Sequence, residues 1–110
     1  MKLQIELDKV SKVGDVKEKV IKKLSTLDKY FSRLGSNISK GFVRITKGDR
    51  FGYKVGFGLT LPGRRLFTEE KREKLLDAVD EARAEMATQL KKYLERLKKP
   101  RKVTSASRGN

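Results

Sequence analysis

The sequence predicts an α+β domain with element order β-α-β-β-β-α, a four-stranded sheet with two helices packed on one face. Two patterns and one packing argument support this. Segments 2–8, 42–47 and 53–61 alternate apolar and polar residues, the period of half-buried strands. Segments 15–34 and 68–97 repeat apolar residues three or four apart, the period of amphipathic helices. Each element has a single apolar face, and laying both helices across one side of the sheet buries all of them.

In the first strand, Leu3, Ile5 and Leu7 face one way and Gln4, Glu6 and Asp8 the other. A polar loop, 9–14, ends at Gly14. Asp15 with Glu18 three residues on has the form of a capping box, and Val16, Val20, Leu24, Leu27, Phe31 and Leu34 follow as the buried stripe. Gly35 sits where a left-handed C-cap belongs. After a loop at 36–41, Val43 and Ile45 face inward from the second strand. KGDRFG, 47–52, is a turn by its glycine and aspartate. Tyr53, Val55, Phe57, Leu59 and Leu61 line the inner face of the third strand, and Pro62-Gly63 turns the chain into a short fourth strand at 64–68. The last helix is expected to start at Thr68 as N-cap, with Glu69 and Glu70 at its positive end. Leu75, Val79, Ala82, Met86, Leu90, Tyr93 and Leu97 form its stripe, Lys91, Lys92 and Arg96 suit its negative end, and Pro100 stops it. It would be about 40 Å long.

Composition narrows the function. In 110 residues there are 28 Lys and Arg against 14 Asp and Glu, a net charge of +14. That much self-repulsion points to a polyanionic partner. The chain has no cysteine and no histidine, so disulfides, thiolate metal sites and histidine acid–base chemistry are out. No cofactor is expected. No apolar run reaches the length of a membrane span or signal peptide, so no membrane partner is expected and the cytoplasm is the default location.

Two cationic groups are candidates for binding phosphates. The first is a stripe on the first helix, Lys19, Lys22, Thr26, Lys29 and Arg33, with Lys23 beside it. A solvated face is the bland alternative; the lack of interleaved acids beyond the first turn favours a phosphate-contacting ridge. The second is the acid-free tail 98–110, with Lys98, Lys99, Arg101, Lys102 and Arg108, expected to be disordered when free and to order on nucleic acid. This divides the chain into a domain, 1–97, and a basic tail. Gly56 and Gly58 are read as covered by neighbours such as Phe42 and Phe67 rather than as a phosphate loop. Arg44, Lys54 and Arg65 would make that outer face basic. Glu73, Asp77, Asp80, Glu81 and Glu85 alternate with Lys74 and Arg83 on the last helix, a solvated ion-pair face rather than paired catalytic carboxylates. No enzyme is expected.

The segment KLSTLDKYFSRL, 23–34, the hairpin end TLPGRRL, and LLDAVDEARAEMATQLKKYLERL resemble the ribosome hibernation-promoting factor family, also called ribosome-associated inhibitor A or the sigma-54 modulation family. Its members show a "KL-x-KL-x-KY" helix and a last helix similar to "DMYAAID-x-A-x-DKLERQLRKYK". Asp77-Ala78-Val79-Asp80 and Gln89-Leu90-Lys91-Lys92-Tyr93 stand at the matching positions. Leu75-Leu76 replaces the usual Met-Tyr, and RRLFTEEKREK is more charged than the family's connection. The resemblance, over residues 2–97, implies a short-form factor that binds the small ribosomal subunit near the decoding centre. It would occupy the mRNA channel and tRNA sites, compete with mRNA and tRNA, and so inhibit translation in idle ribosomes under stress. By position it implies rRNA contacts from Lys22, Lys23, Lys29, Lys91 and Lys92, with Arg96. The long form's C-terminal dimerisation domain is not in the sequence, so a monomer that does not itself pair ribosomes is expected. Two other readings remain open: a general double-stranded RNA-binding protein or RNA chaperone, and a homodimer built through the long helix.

Overall fold

A computed structural model of the chain describes residues 2–10, 15–31, 40–48, 50 and 52–98, with the backbone alone at 97 and 98. Strand β1, Lys2–Asp8, leads through helix α1, Val16–Leu24, and a 3₁₀ segment, Ser25–Phe31, into β2, Lys40–Lys47. Strands β3, Tyr53–Leu61, and β4, Arg64–Arg72, follow as a meander, and helix α2, Leu75–Lys98, closes the order. The sheet runs β1-β2-β3-β4, with β1 parallel to β2 and the other neighbours antiparallel. α2 lies on β3 and β4, and α1 packs beside it on the same face. The expected α+β architecture is the one observed.

The core is the one the alternation predicts. Val43, Ile45, Val55, Phe57 and Leu59 from the sheet meet Val20, Leu24, Leu27 and Phe31 from the first helical stretch and Val79, Ala82, Met86 and Leu90 from α2, all essentially inaccessible. Leu3, Ile5, Leu7 and Leu75 are only partly buried against this cluster.

Several boundaries differ from expectation, and β2 starts at Lys40 rather than at 42. The first helix is α-helical only to Leu24 and then tightens to 3₁₀. The change comes at Ser25-Thr26, where the Thr26 hydroxyl donates to the Lys23 carbonyl at 2.8 Å. Such side-chain competition for a backbone acceptor favours the tighter turn. The stripe survives, because Leu24, Leu27 and Phe31 still reach the core. Its expected continuation, with Leu34 and Gly35, lies outside the described residues. Asp15 sits at the N-cap but makes no side-chain cap bond; its carboxylate instead faces Lys19 at 3.5 Å.

The largest difference is at the last helix. Thr68 does not cap it. β4 pairs with all of β3, from Leu61↔Arg64 to Tyr53↔Arg72, so Thr68, Glu69 and Glu70 belong to a strand and the helix starts at Leu75. An unpaired β3 edge outweighs the weak helix preference of TEEKR. Thr68 is buried opposite Phe57. Inward-pointing Glu70 is met by Arg72 at 3.2 Å, and Arg72 also reaches Glu81 of α2 at 3.4 Å. α2 has 24 residues, about 36 Å.

Candidate nucleic-acid interface

α2 runs antiparallel to β4, which two bonds establish. The Tyr93 hydroxyl donates to the Pro62 carbonyl at 2.8 Å, and the Gln89 amide donates to the Phe67 carbonyl at 3.0 Å. The C-terminal end of α2 is therefore held at the β3–β4 turn. Lys92 and Arg96 stand beside Arg64 there and line a small groove with Leu66, Gln89 and Tyr93. The groove lining contains no acid, and among the described residues none of these three cations has a carboxylate partner. A cluster of uncompensated cations on two elements pinned together by hydrogen bonds is suited to phosphate oxygens. Lys91 is exposed on the same helix end.

The first-helix stripe is placed differently. Lys22 is exposed and unpaired among the described residues. Lys19 is engaged with Asp15, and Lys29 stands 5.3 Å from the Tyr30 ring centroid. Lys23 donates to Asp80 of α2 at 3.0 Å. This ties α1 to α2, so Lys23 is held by protein before any phosphate arrives. The stretch from Asp80 to Lys92 covers about 18 Å of helix, so the stripe and the α2 end form two patches rather than one. Arg33, Lys99, Arg101 and Lys102 lie outside the described residues, as does the side chain of Lys98.

Two expectations about charge are corrected. The α2 acids do form ion pairs, but Asp80 pairs with α1 and Glu81 with β4, not along the helix. The outer sheet face is not uniformly basic: Arg44 meets Glu6 at 3.7 Å and Asp8 at 3.6 Å, and Lys54 meets Glu69 at 3.9 Å. As expected, Phe67 covers the glycines. A Cβ on Gly56 or Gly58 would meet its ring at 3.4 and 3.5 Å.

Sequence reasoning missed Arg64. Its signal, the pair of arginines after Pro62-Gly63, was visible. Its significance needed the direction of α2, which brings the other end of the chain to that turn.

Element order, core and cationic helix end lead to the same comparison. The profile of the sigma 54 modulation protein / S30EA ribosomal protein family matches residues 3–98. The chain belongs to that family. It is a family of ribosome-associated modulation factors and not of enzymes. Among solved structures, the Thermus thermophilus Protein Y N-terminal domain is similar with a TM-score of 0.71 at 24% identity, covering 84% of this chain and 99% of that one. A ribosomal subunit interface protein from Coxiella burnetii is similar with a TM-score of 0.69 at 19% identity, covering 86% and 99%. At these identities the likeness is one of fold. No functionally curated protein matches the chain. Among the described residues no helix is long and apolar enough to cross a membrane, and no group of acids could hold a metal ion.

Proposed function

We propose that this family member binds the ribosome at the small subunit, occupies the mRNA channel and tRNA sites, and inhibits translation while ribosomes are idle. The observation that carries the reading is the acid-free cluster Arg64, Lys92 and Arg96, fixed at one end of a rigid helix, in a chain of net charge +14 whose family and structural relatives are named for ribosomal association. Lys22 and Lys91 extend the basic surface, and Lys19, Lys23 and Lys29 become available where phosphates displace their present partners. The mechanism is steric. Cations neutralise rRNA phosphates and release counterions, and the bound domain excludes the ligands that use the same space.

Co-sedimentation with purified small subunits tests this. Saturable binding of one chain per subunit, lost when mRNA and initiator tRNA are bound first, is expected. Equal binding to filled subunits would refute occlusion. Equal affinity for any RNA duplex would make the chain a general double-stranded RNA binder instead.

A further inference from the structure

The sheet face turned away from the helices is ordered in rows. Strand register aligns Lys2, Lys40, Thr60 and Arg65 in one row and Gln4, Phe42, Gly58 and Phe67 in the next. A third row aligns Glu6, Arg44, Gly56 and Glu69, and a fourth Asp8, Thr46, Lys54 and Lys71. The third and fourth rows hold all the acids of this face and the ion pairs that neutralise them. The first row has three cations and no acid. The row between contains two large aromatic rings left in solvent, Phe42 43% and Phe67 61% exposed.

Exposed phenylalanines with nothing to cover them are costly to leave in water, and these two are arranged. They flank Gly58 on opposite sides, two strands apart, about 10 Å. The Cδ1–Cε1–Cζ side of the Phe67 ring runs over Gly58 and Gly56; its high exposure leaves the remainder of the ring facing outward. A groove of about 450 Å³ opens between the rings, lined also by Gln4, Lys40, Thr60 and Arg65, with no acidic residue in its wall. Adjacent rows on one face are about 7 Å apart, the reach from a stacked base to its own phosphate. Apolar rings with cations one row away match an unstacked nucleotide, in which every base carries a phosphate at that spacing.

We propose that this face is a second nucleic-acid site, a platform on which single-stranded RNA stacks a base against Phe67 and Phe42 while Lys40 and Arg65 hold its phosphates. The inference rests on reading the chain as an RNA binder but uses the surface opposite the helix layer. It assigns the two faces different substrates: paired rRNA backbone to the helix side and an unpaired strand to the sheet side.

Titration of the full chain with nine-nucleotide oligoadenylate, oligouridylate and a blunt RNA duplex, followed by NMR, tests it without ribosomes. Saturable ring-current shifts at Phe42, Phe67, Gly56 and Gly58 are expected with the single strands, stronger for adenine, whose stacking surface is larger. Phe67→Ala should weaken oligoadenylate binding on the order of tenfold. Phe67→Tyr should restore it and Phe67→Leu should not, because leucine keeps the apolar cover but has no π face. The ring is exposed, so the fold should tolerate these changes, and unchanged core methyl shifts would establish that it does. Wild-type affinity in Phe67→Leu, shifts confined to the helix side, or a preference for the duplex would overturn the proposal. So would a concentration-dependent dimer abolished by Phe67→Ala, which would make the face a contact between copies. Failure of the wild type to bind small subunits, with the oligonucleotide shifts intact, would count against the ribosomal reading and leave this site standing.

Discussion

The two halves of α2 have opposite relations to their neighbours. In the N-terminal half, Asp80 is joined to Lys23 and Glu81 to Arg72, so charge there links the helix to α1 and to β4. In the C-terminal half, Lys92 and Arg96 face Arg64 across a groove without acids. Formal charge alone does not separate these roles. What separates them is whether the protein already supplies the counter-charge: Lys92 and Arg96 have no carboxylate partner among the described residues and are left for an outside anion.

Both halves depend on one core, so the largest expected effect is one that removes the contrast altogether. Phe57 is fully buried beneath the helices, and Phe57→Ala should cost roughly 3–5 kcal/mol. Thermal unfolding checks it, and an unchanged melting temperature would mean that the core is not shared. Next in size, Arg64→Ala, Lys92→Ala and Arg96→Ala together should abolish most ribosome binding with little loss of stability. The plot of log affinity against log salt should flatten by about three units, one per lost phosphate contact. The same measurement on Lys22→Ala with Lys29→Ala should flatten it by at most about two units. If that double variant is as defective as the triple one, the stripe and not the α2 end is the main grip. The smallest effect should come from Asp80→Asn. Removing a half-exposed ion pair should cost less than about 1 kcal/mol, while freeing Lys23 should strengthen RNA binding slightly. Weaker RNA binding in that variant would show that Asp80 positions Lys23 rather than sequestering it.

How much of this was legible in the sequence follows from the range of each signal. The alternation of β1, β2 and β3 and the stripes of both helices are local and strong. They placed Val43, Val55, Phe57, Leu24, Met86 and Leu90 inside before any coordinates. The start of α2 was misplaced because TEEKR has helix-forming composition, and only the partner strand, a non-local fact, holds it extended. The site was half legible. Lys92 and Arg96 could be named from the family resemblance of the last helix. Arg64 could not join them without the antiparallel course of α2, nor could Lys23 be set apart without seeing Asp80 opposite it. Phe67 was correctly placed over the glycines, whereas Phe42 only pairs beside Gly58, and the alignment of both rings with Lys40 and Arg65 exists only once strand register is known.

The single parallel pairing has a consequence for the order in which the chain folds. β2, β3 and β4 are joined by short turns, so their contacts close over few residues. β1 pairs Lys2 with Lys40, and that closure must span α1 and the 3₁₀ segment first. Leu3, Ile5 and Leu7 are also only partly buried, unlike Val43, Ile45, Val55 and Phe57. The N-terminal strand is thus expected to dock last and to detach first, through a local opening that leaves the meander and α2 in place. Amide exchange at Leu3, Ile5 and Leu7 should run ahead of that at Val55 and Phe57. Equal rates would mean that the sheet opens as one unit. During synthesis the first strand to leave the ribosome would therefore wait, unpaired, until β2 emerges to receive it.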